Sequence, residues 1–164
     1  MGKARKKIKK NIQKQQTGKP SRKILQQAKE EMQQFIDLDQ YDEALEKLAA
    51  LVERKIYDAD LVYQGAYCYF MLCDYERAAT WLNNTLTLDG HHLKARLLLA
   101  RLCILEDRID DGMDIYEFII TNYRAKLTEE QQEEIRDVLD FYSQYEQEKI
   151  QSRPELAVFL GEES

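Results

Sequence analysis

At 164 residues, with 44% hydrophobic and 33% charged side chains, the chain suffices for one buried core, and no stretch approaches the ~18 apolar residues of a membrane span. Six glycines and two prolines are too few turn formers for a many-stranded β fold, whereas the dominant Ala, Leu, Glu, Gln, Lys and Arg favour helix. The net charge of −6 is unevenly divided: residues 1–23 carry ten basic residues and no acid, and the remainder carries 14 basic against 30 acidic, a balance of −16.

Residues 1–23 are predicted to be a disordered tail or a frayed helix. Plain solvation is one reading of their charge. Another is sequence-independent attraction to nucleic-acid phosphates, with Lys6, Lys7, Lys9 and Lys10 as the densest cations. A third is contact with an anionic membrane surface. Ile8 and Ile12 are the large apolar residues there and no aromatic is interleaved for base stacking. Nucleic acid is preferred to membrane on this pattern. A basic start also suits a signal peptide, but no apolar run of ~7–15 residues follows, so a soluble cytoplasmic protein is expected.

From Leu25 onward a repeat emerges at one fixed spacing. Tyr41-Asp42-Glu43-Ala44 steps by 34 residues to Tyr75-Glu76-Arg77-Ala78 and again to Ile109-Asp110-Asp111-Gly112. Met32, Ala66 and Ala100 keep the interval, as do Leu48, Leu82 and Tyr116. The units predicted are 25–58, 59–92 and 93–126. In the first, Leu25, Ala28, Met32 and Phe35 form one helical stripe and Leu45, Leu48, Leu51 and Val52 another, broken at Asp39-Gln40. The second repeats this with Val62, Ala66 and Tyr69, then Ala78, Leu82 and Leu86. The third does so with Leu99, Leu102 and Cys103, then Met113, Tyr116, Ile119 and Ile120. Each unit reads as helix, short turn, helix. The small residues Ala44, Ala66, Ala78 and Ala100 stand where paired helices must approach closely.

Residues 127–164 are expected to close the array. Thr128-Glu129-Glu130-Gln131 is a capping box opening a long helix with Ile135, Val138, Leu139 and Tyr142 on one stripe. A short last helix is predicted from Pro154, and its Leu156, Val158, Phe159 and Leu160 need cover. They would dock on the preceding helix or, alternatively, fill the groove of the repeats.

Catalytic chemistry finds little footing. Adjacent His91 and His92 diverge by ~100° on a helix and cannot share a metal. Asp110-Asp111 and Glu129-Glu130 suit helix starts, where carboxylates meet the dipole. Cys68, Cys73 and Cys103 all fall in apolar helical patterns and are expected as inert free thiols. No catalytic residue, cofactor or metal is expected, and no enzyme.

The 34-residue register with Ala66, Tyr69, Tyr75, Ala78, Leu82 and Leu86 resembles the tetratricopeptide repeat family. Gly112 departs from the family's alanine, and Ile56, Gly90 and Arg124 replace its closing proline. The resemblance implies an all-α, right-handed α-solenoid of three helix-turn-helix repeats with C-terminal capping helices. It also implies that the first helices of the units line a concave groove for a peptide or partner helix. By position the groove would present Gln26, Lys29, Gln33 and Ile36. Asp60, Tyr63, Tyr67, Phe70 and Met71 follow from the second unit, and Lys94, Leu97, Arg101 and Ile104 from the third. The tyrosines and Phe70 lie outside the packing stripe, and exposed aromatics in a concavity anchor interfaces.

One subclass of the family clamps chaperone C-terminal carboxylates. The matching positions here are Lys29, Gln33, Gln64, Lys94 and Leu98, and Leu98 removes the arginine such a clamp needs. The bacterial secretion chaperones of three repeats are similar in length, without the basic tail. The function expected is a protein-binding adaptor or chaperone-like protein. The alternative is a nucleic-acid- or ribosome-associated factor using the tail.

Overall fold

The computed structural model describes residues 19–162, which among themselves form only helices and turns. The first pair is α1 (Arg22–Asp37) and α2 (Tyr41–Glu53), and the second α3 (Ala59–Met71) and α4 (Tyr75–Leu88). The third is α5 (Leu93–Leu105) and α6 (Ile109–Tyr123). A 3-10 turn at Arg124–Lys126 leads to α7 (Glu129–Tyr145), followed by the short α8 (Gln147–Gln151) and α9 (Pro154–Gly161). Residues 1–18, with Lys6, Lys7, Lys9 and Lys10, lie outside the described residues.

The 34-residue step reappears in the backbone. The turn inside each pair hinges on one left-handed residue: Asp39 (φ 56°), Cys73 (φ 59°) and Asp107 (φ 61°). At the second turn the Cys73 amide donates to the Phe70 carbonyl at 3.0 Å and the Asp74 amide to the Tyr69 carbonyl at 2.9 Å. This is the Schellman pattern, which satisfies the last carbonyls of the helix. Asp39 with Gln40 and Asp107 with Arg108 repeat it. None of the three hinges is glycine, so each holds a conformation that disfavours L-residues by ~1–2 kcal/mol.

Cys73 therefore departs from the sequence expectation. It is exposed in a turn and belongs to no helical stripe. Cys68 and Cys103 are buried as expected, and burial pushes the Cys68 thiol up to about 12.

Helix starts are set by local chemistry. Ser21, Asp58 and Asp74 accept from the amides of Ile24, Leu61 and Arg77. Thr128 and Gln131 form the reciprocal capping box at α7.

The core runs along the stack. Ala44, Ala66, Ala78 and Ala100 are fully buried between helices. Leu61 and Cys68 of α3 pack toward α1 and α2, while Ala66 and Phe70 pack with Leu82 of α4 and Leu98 of α5. One helix thus serves two neighbours, as a stacked repeat requires. Gly65 allows a close approach: a β-carbon there would run into Leu48 of α2 and Trp81 of α4.

At the far end Tyr116, Ile135, Leu139, Leu156 and Phe159 form the last core. Arg153 pairs with Asp114 and Glu117, and Arg124 with Glu162. The C-terminal segment accordingly packs on the end of the stack and leaves the groove open. Among the described residues no helix is long and apolar enough to cross a membrane.

Candidate functional site

A concavity of about 670 Å³ is walled by one face of each first helix. Gln33, Ile36 and Asp37 come from α1, Tyr63, Gln64 and Tyr67 from α3, and Lys94, Leu97, Leu98 and Arg101 from α5. Thr128, Glu130, Gln131 and Glu134 at and after the start of α7 complete it, with Asp39 and Tyr41 at the rim. Ile36, Leu97 and Leu98 are buried and form an apolar floor.

Aromatic and ionic contacts hold the wall in shape. Tyr63 is half-buried against His92, ring centroids 5.1 Å apart, and its burial pushes the phenol up to about 12. Tyr67 meets the edge of Tyr41 at 6.5 Å, and the Tyr41 hydroxyl donates to Asp39 at 2.9 Å. The hydrogen bond to Asp39 pushes Tyr41 up to about 12 as well. Arg101 spans to α7, with Nε 3.2 Å from a Glu134 oxygen and its guanidinium 5.2 Å above the Phe70 ring. The Gln33 amide donates to Asp37 at 2.8 Å. Both rim aspartates are therefore met by neutral donors.

Of the residues expected in the groove, Gln33, Ile36, Tyr63, Tyr67, Lys94, Leu97 and Arg101 share this wall. Six others do not line it, among them Gln26, whose amide donates to Glu30, and Asp60, which pairs with Lys29 and His92. Phe70 is buried under Arg101 and against Tyr75, so it belongs to the core. Met71 is exposed at the end of α3, and Ile104 fills the space beside Gly112 of α6. Lys29 is committed elsewhere, with Nζ 2.5 Å from Asp58 and 3.2 Å from Asp60. Burial pulls its pKa down, but the two aspartates outweigh that and leave it raised.

That ion pair is part of a polar strut joining the first helices. The Asp60 carboxylate also receives His92 Nε2 at 2.8 Å, and His92 Nδ1 accepts from the Ala95 amide at the start of α5. The cap makes Nδ1 the acceptor, so the proton sits on Nε2. Partial burial pushes the Asp60 carboxyl up, yet His92 and Lys29 outweigh it and hold it below its usual range. Gln64 adds a bond from its amide to the Lys29 carbonyl at 3.1 Å. His91 turns away, with Nδ1 2.9 Å from the Tyr123 hydroxyl.

The α7 wall is absent from the sequence expectation, although a signal for it exists. One more step of 34 from Lys94 and Leu97 lands on Thr128 and Gln131. The helix expected as a cap thus also stands where a fourth first helix would.

A family model for the anaphase-promoting complex, cyclosome, subunit 3 matches residues 37–119, half of the chain, from the end of α1 through most of α6. No curated protein and no solved structure matches. The helix pairs, the 34-residue turns and this match agree, and the chain belongs to the anaphase-promoting complex, cyclosome, subunit 3 family of tetratricopeptide-like repeats.

Proposed function

We propose that the chain is a cytoplasmic, non-catalytic adaptor or chaperone-like protein that binds a peptide or helix in the concave cavity. The single observation behind this reading is the convergence of α1, α3, α5 and α7 on one cavity with an apolar floor and half-buried tyrosines. Its volume falls in the ~300–1,000 Å³ range of sites that enclose a small ligand or a few side chains. Tyr63 and Tyr67 offer large contact area with few rotatable bonds, which lowers the entropy lost on binding. Family membership supports a protein partner in general terms.

The test is partner capture from source lysate under nuclease, comparing wild type with Tyr63→Ala/Tyr67→Ala. A protein retained by wild type and lost by the double variant supports the groove. Partners lost to nuclease and indifferent to the tyrosines move the function to the basic tail, the second reading that the ten cations of residues 1–23 favour.

A further inference from the structure

The cavity wall is electrostatically lopsided. Four of its side chains are acidic (Asp37, Asp39, Glu130 and Glu134) and two are basic (Lys94 and Arg101). Arg101 is held on Glu134, which leaves Asp37, Asp39 and Glu130 facing Lys94. Asp37 and Asp39 are hydrogen-bonded by an amide and a phenol, neither of which cancels charge. A ligand suited to this wall carries several cations and a few apolar side chains for Ile36, Leu97 and Leu98.

Such a ligand exists in the same chain. Residues 1–18 hold Lys3, Arg5, Lys6, Lys7, Lys9, Lys10 and Lys14, no acid, and the apolar pair Ile8 and Ile12. The segment ends just before α1, whose later turns carry Gln33, Ile36 and Asp37 on the cavity wall. From Arg22 to Gln33 the helix rises about 16 Å at ~1.5 Å per residue. Eighteen residues span up to about 60 Å when extended, so doubling back to the cavity is well within reach. Tethering supplies an effective concentration of about a millimolar, enough for a contact too weak to persist between separate molecules.

We propose that the basic segment of residues 1–18 docks in the concave cavity of its own chain and competes with external ligands there. The proposal rests on the groove reading above and names the chemistry the groove accepts: a polycationic segment bearing isolated aliphatic side chains. Any external partner must displace the segment and offers the same chemistry at higher affinity.

Zero-length carbodiimide coupling of the full chain tests it, because the reagent joins a lysine to a carboxylate only where the two meet. Peptide mapping is expected to join Lys6, Lys7, Lys9 or Lys10 to Asp37, Asp39 or Glu130. The yield should fall about fivefold or more between low salt and roughly 0.5 M salt, where the Debye length drops below ~5 Å. It should fall similarly in Ile8→Ser/Ile12→Ser, with unchanged helical circular dichroism as the control on folding. Coupling spread evenly onto Glu43, Glu53 and Glu76 of α2 and α4, or no coupling at all, overturns the proposal. In a mixture of light and nitrogen-15-labelled chains, products joining two copies overturn its intrachain form. The two readings separate cleanly. A partner captured through Tyr63 and Tyr67 without tail–cavity coupling sinks the docking and spares the groove reading. Coupling without any tyrosine-dependent partner supports the docking and removes the external ligand.

Discussion

Replacing Gly65 by alanine probes a close helix approach within the stack. A β-carbon built there lies inside contact distance of Leu48 Cδ2 and 2.9 Å from Trp81 Cε3. Alanine gains ~1 kcal/mol over glycine in a helix interior. Overpacking costs ~1–3 kcal/mol, and the upper part of that range applies because Leu48 is wholly buried and Trp81 packs on Tyr69. The expected net effect is destabilisation by about 1–2 kcal/mol. Gly112→Ala is the comparison at the crossing of the third pair. Its β-carbon would lie 2.6 Å from Ile104 Cδ1, 2.9 Å from Ile104 Cγ1 and 3.2 Å from the Ala100 carbonyl oxygen, a backbone atom that cannot swing aside. That change should also destabilise, by about 1 kcal/mol once the helix gain of alanine is offset. Urea midpoints at constant m-value measure both, and a 1–2 kcal/mol loss lowers the midpoint by roughly 0.5–1 M. Leu48→Ala alone should cost ~2–5 kcal/mol. Combined with Gly65→Ala it should cost at least ~1 kcal/mol less than the sum, because the new methyl enters the vacated space. A raised midpoint for Gly65→Ala, or additivity within ~0.5 kcal/mol, refutes the argument.

Three further outcomes follow from the structure. Cys73→Gly should raise stability by about 1 kcal/mol, since glycine adopts the left-handed hinge at φ 59° without the cost an L-residue bears; thermal unfolding reads it. Tyr116→Phe should be neutral or stabilise by up to ~2 kcal/mol, because the buried hydroxyl has no hydrogen-bond partner among the described residues, and a destabilised variant contradicts this. The lowered Asp60 carboxyl contributes stability that is complete above the ordinary aspartate value of 3.8 and is lost as pH falls through its folded value. Asp60→Asn should therefore flatten the acid limb of a stability-against-pH curve below that point, leaving its shape at neutral pH unchanged.

Much of the fold is legible along the chain because it depends on neighbours a few residues apart. Thr128 and Gln131 announce the start of α7 by their spacing, and the capping box forms. Ala44, Ala66, Ala78 and Ala100 mark the close crossings and are fully buried. The recurring 34-residue interval is a local pattern copied, so it survives the degeneracy of individual positions. The cavity was legible in part for the same reason: Gln33, Tyr63, Tyr67, Leu97 and Arg101 occupy equivalent faces of successive first helices.

What failed to be legible depends on residues distant in sequence. Tyr63, Tyr67 and Phe70 share one helical phase, so periodicity cannot separate them. Leu98 and Leu102 of α5 and Tyr75 of α4 bury Phe70 alone, since the next pair leans over that end of α3. Lys29 reads as a solvent-facing groove cation until Asp58 and Asp60, about thirty residues on, close around it. Cys73 passes as one more apolar helical residue until the Schellman turn places it at positive φ. The sequence by itself determined the helices, their pairing and the phase of the faces that meet. Only the tertiary structure decided which members of an exposed-looking face remain accessible, because burial depends on the neighbouring repeat's position in space, and a repeat's own residues encode its phase and not its cover.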